Sequence, residues 1–310
     1  MCLNRLRSVV LILGCIFIFN PIPCWSDNLR LLVVLSYNLP AYQSFANTLK
    51  TNLPESVQVT VLEHPEKLSD QPPADLIISV GMKASLSAVS QTKVPLLVVM
   101  IPKESYEQLL AQSTKRYRAP LISAIYLDQP WKRQLNFIRA ILPEYRRIGL
   151  LYSVQTLTDL TLLRKQVAKR DVRLTAKLVS SEDMLFSTLD DVLNNSDILL
   201  SLPDTMIYNS TSIRNILLSC YRSAIPFIGL SQAYVNAGAI GAIFSSQQQL
   251  SEQATEAIHL FLQNGNLPKP EYSHDFTISL NSEVARSLDI QLPSPEIVRS
   301  IMSSVDRSIP

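Results

Sequence analysis

The sequence predicts two α/β lobes, each built on a parallel sheet and joined by a three-segment hinge. Three observations carry that expectation. Six short apolar runs each stop at a small or polar residue: Leu31–Leu35, Leu76–Val80 and Leu96–Ile101, then Ile148–Leu151, Ile198–Leu202 and Phe227–Leu230. Runs of this length suit parallel strands buried on both faces, and helical stretches lie between most of them. A late amphipathic helix and a late alternating strand find no room in a plain second lobe; if each lobe takes one, the backbone crosses between lobes three times. Several parallel crossings make a hinge that can close on a ligand.

The first lobe opens with strand Leu31–Leu35 and a helix from about Ala41 to Leu53, with Phe45 and Leu49 on one face. Val57–Leu62 alternates, as an edge strand does. After the turn at Asp70-Gln71-Pro72-Pro73 come strand Leu76–Val80, a short helix near Ser85–Ser90, the strand after Pro95 and a helix around Tyr106–Gln112. Ile122–Leu127 is the fifth strand. The helix from about Pro130 to Leu142 carries Trp131, Leu135, Ile138 and Leu142 on one stripe, with prolines at both boundaries.

Arg147–Leu151 restarts the count. A helix around Leu157–Lys169, strand Leu174–Val179, a helix near Glu182–Leu193, strand Ile198–Leu202, a helix from Asn209 to Tyr221 and strand Phe227–Leu230 follow. Such βαβ units favour right-handed crossovers. Ala239–Phe244 is a further strand, leading into a long helix with Leu250, Ala254, Ile258 and Phe261, closed by Gly265-Asn266. Phe276–Leu280 alternates before a short helix at Ser282–Leu288. The expected division is a signal peptide at 1–26, a first lobe at 27–127 plus about 246–268, and a second at 128–245 plus about 269–310.

Residues 1–26 read as an export signal: Arg5 and Arg7, the apolar Val9–Phe19, then a polar tail with Cys24 and Ser26 before Asp27. The apolar core is about half the ~20 residues that span a bilayer, which favours cleavage over a retained anchor. Ile12-Leu13-Gly14-Cys15 resembles a lipobox, but Ile16–Phe19 continues the apolar run past it, and Pro23 argues against Cys24. Soluble export to the periplasm, with no transmembrane segment in the mature chain, ranks first. Removing 26 of 310 residues leaves 284, enough for two lobes. Arg5 and Arg7 leave with the signal, so 26 Lys+Arg balance 26 Asp+Glu, and zero net charge gives no electrostatic case for nucleic acid or an anionic membrane. Cys220 alone remains of four cysteines, so no intramolecular disulfide forms; its helical apolar setting reads as a buried, inert thiol.

In open α/β sheets ligands bind beyond the carboxyl ends of the strands. Asp204 and Thr205 end one such strand and open a helix. Asp204 there either receives a ligand ammonium or caps the helix. In the first lobe Gly81 allows close backbone approach, and Ser85 or nearby N–H groups offer an anion site; the alternative is a plain turn. Ser36, Tyr37 and Tyr42 flank the first strand end, Ser231 and Tyr234 the last, and Tyr208 follows Asp204. Tyrosines in such clefts stack on ligand rings, and elsewhere are ordinary half-buried residues. Tyr126, Asp128 and Gln129 sit at the first crossing, as hinge packing or as ligand contacts. An enzyme reading finds little support. His64, His259 and His274 lack metal-ligand spacing, and no nucleophile elbow, phosphate loop or dinucleotide fingerprint occurs, so neither a cofactor nor a metal is expected.

Four stretches carry a family resemblance. Phe276-Thr277-Ile278-Ser279-Leu280-Asn281 through Ala285, Leu288 and Leu292-Pro293 resembles the ending of the ABC-transporter substrate-binding family related to tryptophan- and tyrosine-binding lipoproteins. Gln134–Pro143 with Arg146–Tyr152, Ile225–Gly229 with Ala237–Ala239, and Ala74–Ile78 are similar to its inter-lobe helix, late second-lobe strand and first-lobe strand. The resemblance implies a type I periplasmic-binding-protein fold, non-catalytic capture of a small molecule, aromatic or amino-acid-like, and an ABC permease as partner. It also implies a pocket role at the position of Asp204. Scarce glycine, Ser44 and Ser251 where many relatives have glycine, and a partly kept Pro203–Asn209 mark a divergent subgroup, so ligand and permease are not carried over. The same fold acting as a periplasmic sensor or accessory subunit through a partner protein is the alternative, and an enzyme the third.

Overall fold

The structure, a computed structural model, describes residues 29–112 and 121–306; the export segment read at 1–26 lies outside them. The first lobe runs β1 (Leu29–Leu35), α1 (Pro40–Asn52), β2 (Val57–Leu62), a 3-10 turn (Pro65–Asp70), β3 (Leu76–Val80), α2 (Met82–Gln91), β4 (Leu96–Ile101), α3 (Lys103–Gln112) and β5 (Ile122–Tyr126). Its strands pair in parallel in the order β2-β1-β3-β4-β5, with β2 at one edge. The continuous apolar runs are explained by burial on both faces. Leu31, Val33 and Leu35 of β1 join one core cluster, Leu32 and Val34 the other. In β4 this alternation breaks. Met100 has φ +60°, the register to β5 shifts between Val99 and Ile101, and Val99 and Met100 pack on the same face. A bulge therefore turns the last residues of β4 just before Pro102 at the cleft.

The second lobe continues with α4 (Trp131–Ile141), β6 (Arg147–Tyr152), α5 (Leu157–Val167), β7 (Arg173–Leu178), α6 (Leu185–Leu193), β8 (Ile198–Leu200), α7 (Ile213–Arg222), β9 (Phe227–Gly229), α8 (Gln232–Ala237) and β10 (Gly241–Phe244). Its sheet order is β7-β6-β8-β9-β10 and parallel throughout. The sequence places the start of α7 at Asn209, four residues early. Asn209 Oδ1 instead accepts from the Thr211 and Ser212 N–H groups at 3.0 and 3.1 Å, which holds 209–212 in a side-chain-closed turn.

The late elements divide between the lobes. α9 (Gln247–Asn264) buries Leu250, Ala254, Ile258 and Phe261 with Phe45 and Leu49 of α1 in the first lobe. A capping box starts it, with Ser246 Oγ accepting from Gln249 N–H and Gln249 Oε1 from Ser246 N–H; Gly265, at φ +71°, ends it. β11 (Glu271–Tyr272), too short to show as a period, then adds in parallel to β5. The chain therefore leaves the first sheet after Tyr272, later than the expected boundary at 268–269. β12 (Thr277–Leu280) pairs antiparallel with β10, and α10 (Ser282–Ser287) and α11 (Pro295–Asp306) complete the second lobe. α11, which the sequence reading passes over, buries Val298 and Met302 in that core.

Three segments thus cross between the lobes, at 127–130, 245–246 and 273–276, and hydrogen bonds tie them together. Gln129 Nε2 donates to Ser245 Oγ at 2.8 Å, and that hydroxyl donates to Asp275 O at 2.8 Å. Arg133 Nη1 reaches Gln129 Oε1 at 2.7 Å and Ser273 O at 2.9 Å. Gln129, Ser245 and Ser273 are all buried.

Candidate functional site

Between the lobes, at the carboxyl ends of both sheets, lies a cavity of about 570 Å³. Its first-lobe and hinge wall is Ala41, Pro102, Leu127, Asp128 and Gln129; the facing wall is Pro203, Leu230, Ser231, Tyr234 and Phe244. An apolar enclosure with a few convergent polar groups is what small-molecule sites look like. The polar groups are specific. Asp128 is half-buried and accepts the N–H of Lys103, at the start of α3, at 2.8 Å. Burial pushes its carboxyl up to about 6; the Lys103 hydrogen bond and charge oppose that shift, and Glu104 adds to it. Tyr234 stacks on Phe227, planes 4° apart and centroids 6.2 Å apart, with its phenol also raised by burial.

Of the twelve residues singled out from sequence, Asp128, Ser231 and Tyr234 line this cavity. Five others assemble around the start of α2. Gly81 has φ +84°, and a Cβ there would come within 2.6 Å of Tyr42 Oη and 2.7 Å of Ser36 Oγ. Ser36 is buried and its hydroxyl accepts the Ala84 N–H at 2.9 Å, so it caps α2 from another strand end. Ser85 is buried too. It donates to Gly81 O at 2.8 Å and meets Ser79 Oγ, which leaves it as internal wiring and corrects its reading as an anion site. Tyr37 is exposed, with the Lys83 ammonium 5.7 Å above its ring. Tyr42 is half-buried, its phenol raised first by burial.

The remaining four sit away from the cavity wall. Asp204 is 2% exposed, and both oxygens are used: Oδ2 accepts from Ser153 N–H at 3.0 Å and Thr156 Oγ1 at 2.8 Å, Oδ1 from Met206 N–H at 3.1 Å. It clamps the loop after β6 to the loop after β8, so its carboxylate is taken up by the protein's own donors. Thr205 is exposed on the loop. Tyr208 is buried against Phe227, with its phenol pushed far up by burial. Tyr126 packs between Tyr106 and Tyr272, at 5.8 and 5.2 Å, and burial pushes its phenol up to about 12. Cys220 is buried, as its apolar setting implied, and burial pushes its thiol up to about 12. Phe244, Pro102 and Pro203 were not singled out. Phe244-Ser245 repeats the apolar-run-then-serine signal of the other strand ends and was open to the same reasoning.

Comparison with known proteins decides the family. The sequence profile described as ABC transporter substrate binding protein matches residues 49–302. The chain belongs to that family. This substrate-binding protein is accordingly a ligand carrier and not an enzyme. Its structure is similar to the ABC domain in complex with L-Trp from Streptococcus pneumonia, at 17% identity and TM-score 0.64, covering 88% of this chain and 98% of that one. It is similar to a ligand-free, open substrate-binding protein with adhesive properties from Clostridium difficile, at 16% identity and TM-score 0.65 over 86% and 96% of the chains. A conserved domain protein from Vibrio cholerae gives 18% identity and TM-score 0.64 over 88% and 98%. At such identities the likeness establishes the fold, that of type I periplasmic binding proteins. No curated protein sequence matches the chain. Among the described residues no helix is long and apolar enough to cross a membrane.

Proposed function

We propose that this substrate-binding protein is exported to the periplasm and captures a small amphipathic organic ligand, aromatic or amino-acid-like, for an ABC importer. The observation that carries the reading is the 570 Å³ inter-lobe cavity, walled by both lobes and presenting one carboxylate, Asp128, among apolar and aromatic surfaces. A ligand with an ammonium and a flat apolar body fits that chemistry: the ammonium at Asp128, the body against Tyr234, Phe244 and Leu127. The complex of the pneumococcal relative with L-Trp supports the amino-acid-like class. The three-segment hinge supports closure around the ligand. The succession of basic, apolar and polar residues in 1–26 supports export.

A thermal-shift screen of amino acids, nucleosides, vitamins and short peptides tests this. A true ligand at about 100 times its Kd stabilises by roughly 2.7 kcal/mol. Aromatic or aliphatic amines and amino acids are expected to give the shift; a flat screen on ligand-free protein would count against the reading. Recovery of an unprocessed N-terminus from the periplasm, or of a lipid-modified cysteine, would overturn cleavage before Asp27.

A further inference from the structure

Zero net charge in the mature chain conceals a segregation. Residues 132–173 hold ten Lys and Arg against three Asp and Glu, so the rest of the mature chain carries the opposite excess. Apart from Lys132 and Arg133, which start α4 at the hinge, the fold gathers these cations at one pole. Arg139 lies in the last turn of α4, Arg164 and Lys165 in that of α5, Arg146 and Arg147 at the start of β6 and Arg173 at the start of β7. Helix C-termini and strand N-termini form the end of the lobe remote from the cleft. Cations there suit the helix dipoles, which accounts for some of them without any ligand.

A concavity makes the difference. A pocket of about 350 Å³ is floored by Leu135, Ile138 and Ile148 and walled by Arg139, Lys169 and Arg170. Arg146 and Asp171 also border it, 3.7 Å apart, but Asp171 is fully exposed and Arg146 turns its guanidinium to the carbonyls of Pro143 and Tyr145. Arg170 is half-buried, bonded to Gln166 O at 2.8 Å and to Asn136 Oδ1 at 3.4 Å. Burial and the neighbouring Arg139 charge both push its guanidinium down, so two like charges face one space. Arg139 and Lys169 are exposed and have no hydrogen-bond or ion-pair partner among the described residues.

We propose that this pocket on the outer pole of the second lobe is an anion site for a phosphate group, separate from the inter-lobe cleft. Arg139, Lys169 and Arg170 supply converging charge-assisted donors, and the apolar floor accepts a carbon skeleton attached to the phosphate. A soluble phosphate ester and a phospholipid headgroup share this chemistry. The experiment has an arm for each source. Inorganic pyrophosphate is titrated into the protein by calorimetry, and the protein is co-sedimented with vesicles of phosphatidylglycerol against vesicles of phosphatidylcholine, both at matched ionic strength. Saturable binding is expected in at least one arm, and the arm identifies the source. Arg139→Gln with Lys169→Gln, exposed side chains whose loss leaves no buried partner, should weaken it about tenfold or more while leaving thermal stability and cleft-ligand affinity unchanged. No saturable binding in either arm, or equal binding by the double variant, would overturn the proposal.

Discussion

Replacing Asp204 by asparagine separates a clamp from a ligand contact more sharply than any other single change. The carboxylate is 2% exposed and receives three donors, from Ser153 N–H, Thr156 Oγ1 and Met206 N–H, at 2.8 to 3.1 Å. An amide has one acceptor oxygen. If that oxygen stays with Met206, the NH₂ group faces the Ser153 N–H; if it flips, Met206 loses its partner. Either way at least one buried backbone donor is orphaned and the surviving bonds lose their charge assistance. A hydrogen bond to a charged group contributes about 1.5–3 kcal/mol, and an orphaned buried donor costs about 1–3 kcal/mol. A net loss of about 2–4 kcal/mol is expected, seen as a lower urea midpoint with an unchanged slope. Ligand affinity, measured by calorimetry below the transition, should change little. An unchanged midpoint together with a tenfold weaker ligand would refute the geometry and restore Asp204 to the binding site.

Three further outcomes follow from other residues. Gly81→Ala should destabilise the first lobe by about 1–3 kcal/mol or more, because φ is +84° and the new methyl meets Tyr42 and Ser36; a neutral effect in thermal unfolding would show that α2 starts differently. Asp128, held at about 6 against an ordinary 3.8, binds its proton more tightly when folded, so its contribution to stability falls as pH rises from about 4 to about 6. Asp128→Asn should therefore gain about 1–3 kcal/mol at pH 7.5 and nothing near pH 3.5, while an ammonium ligand should bind wild type more weakly as pH drops through about 6. A pH-independent difference between the two proteins would contradict the assignment. Tyr234→Ala should weaken an aromatic ligand by about tenfold; unchanged affinity would remove Tyr234 from the wall.

The architecture was legible because its signals are collective. Leu31 to Leu35 must be apolar at every position when both faces of β1 are covered, and no single residue decides the reading. The late helix betrayed itself by its period and by Gly265, and its capping box was written in Ser246 and Gln249. Elements that lean on tertiary context were not legible: β11 is two residues long, and the bulge at Met100 leaves no mark in Leu-Leu-Val-Val-Met-Ile. Site residues fared differently for a physical reason. A strand end locates a side chain to within a few ångströms of the cleft but does not fix its direction. Ser36 and Asp204 have the chemistry of ligand contacts and spend it on the N–H groups of neighbouring loops and helices, which a sequence leaves equally in need. Asp128 and Tyr234 sit at equivalent strand ends and face the cavity. The polar charge segregation was present in residues 132–173 and vanished only when the charge was summed over the chain.

The most direct test is a crystal structure of the protein with the ligand that the screen returns. Density is expected between Leu127–Asp128 on one side and Leu230–Tyr234 on the other, touching both lobes, with the ligand ammonium within hydrogen-bond distance of Asp128. A ligand held by one lobe alone, or on the outer surface with the inter-lobe cavity filled only by solvent, would contradict the account.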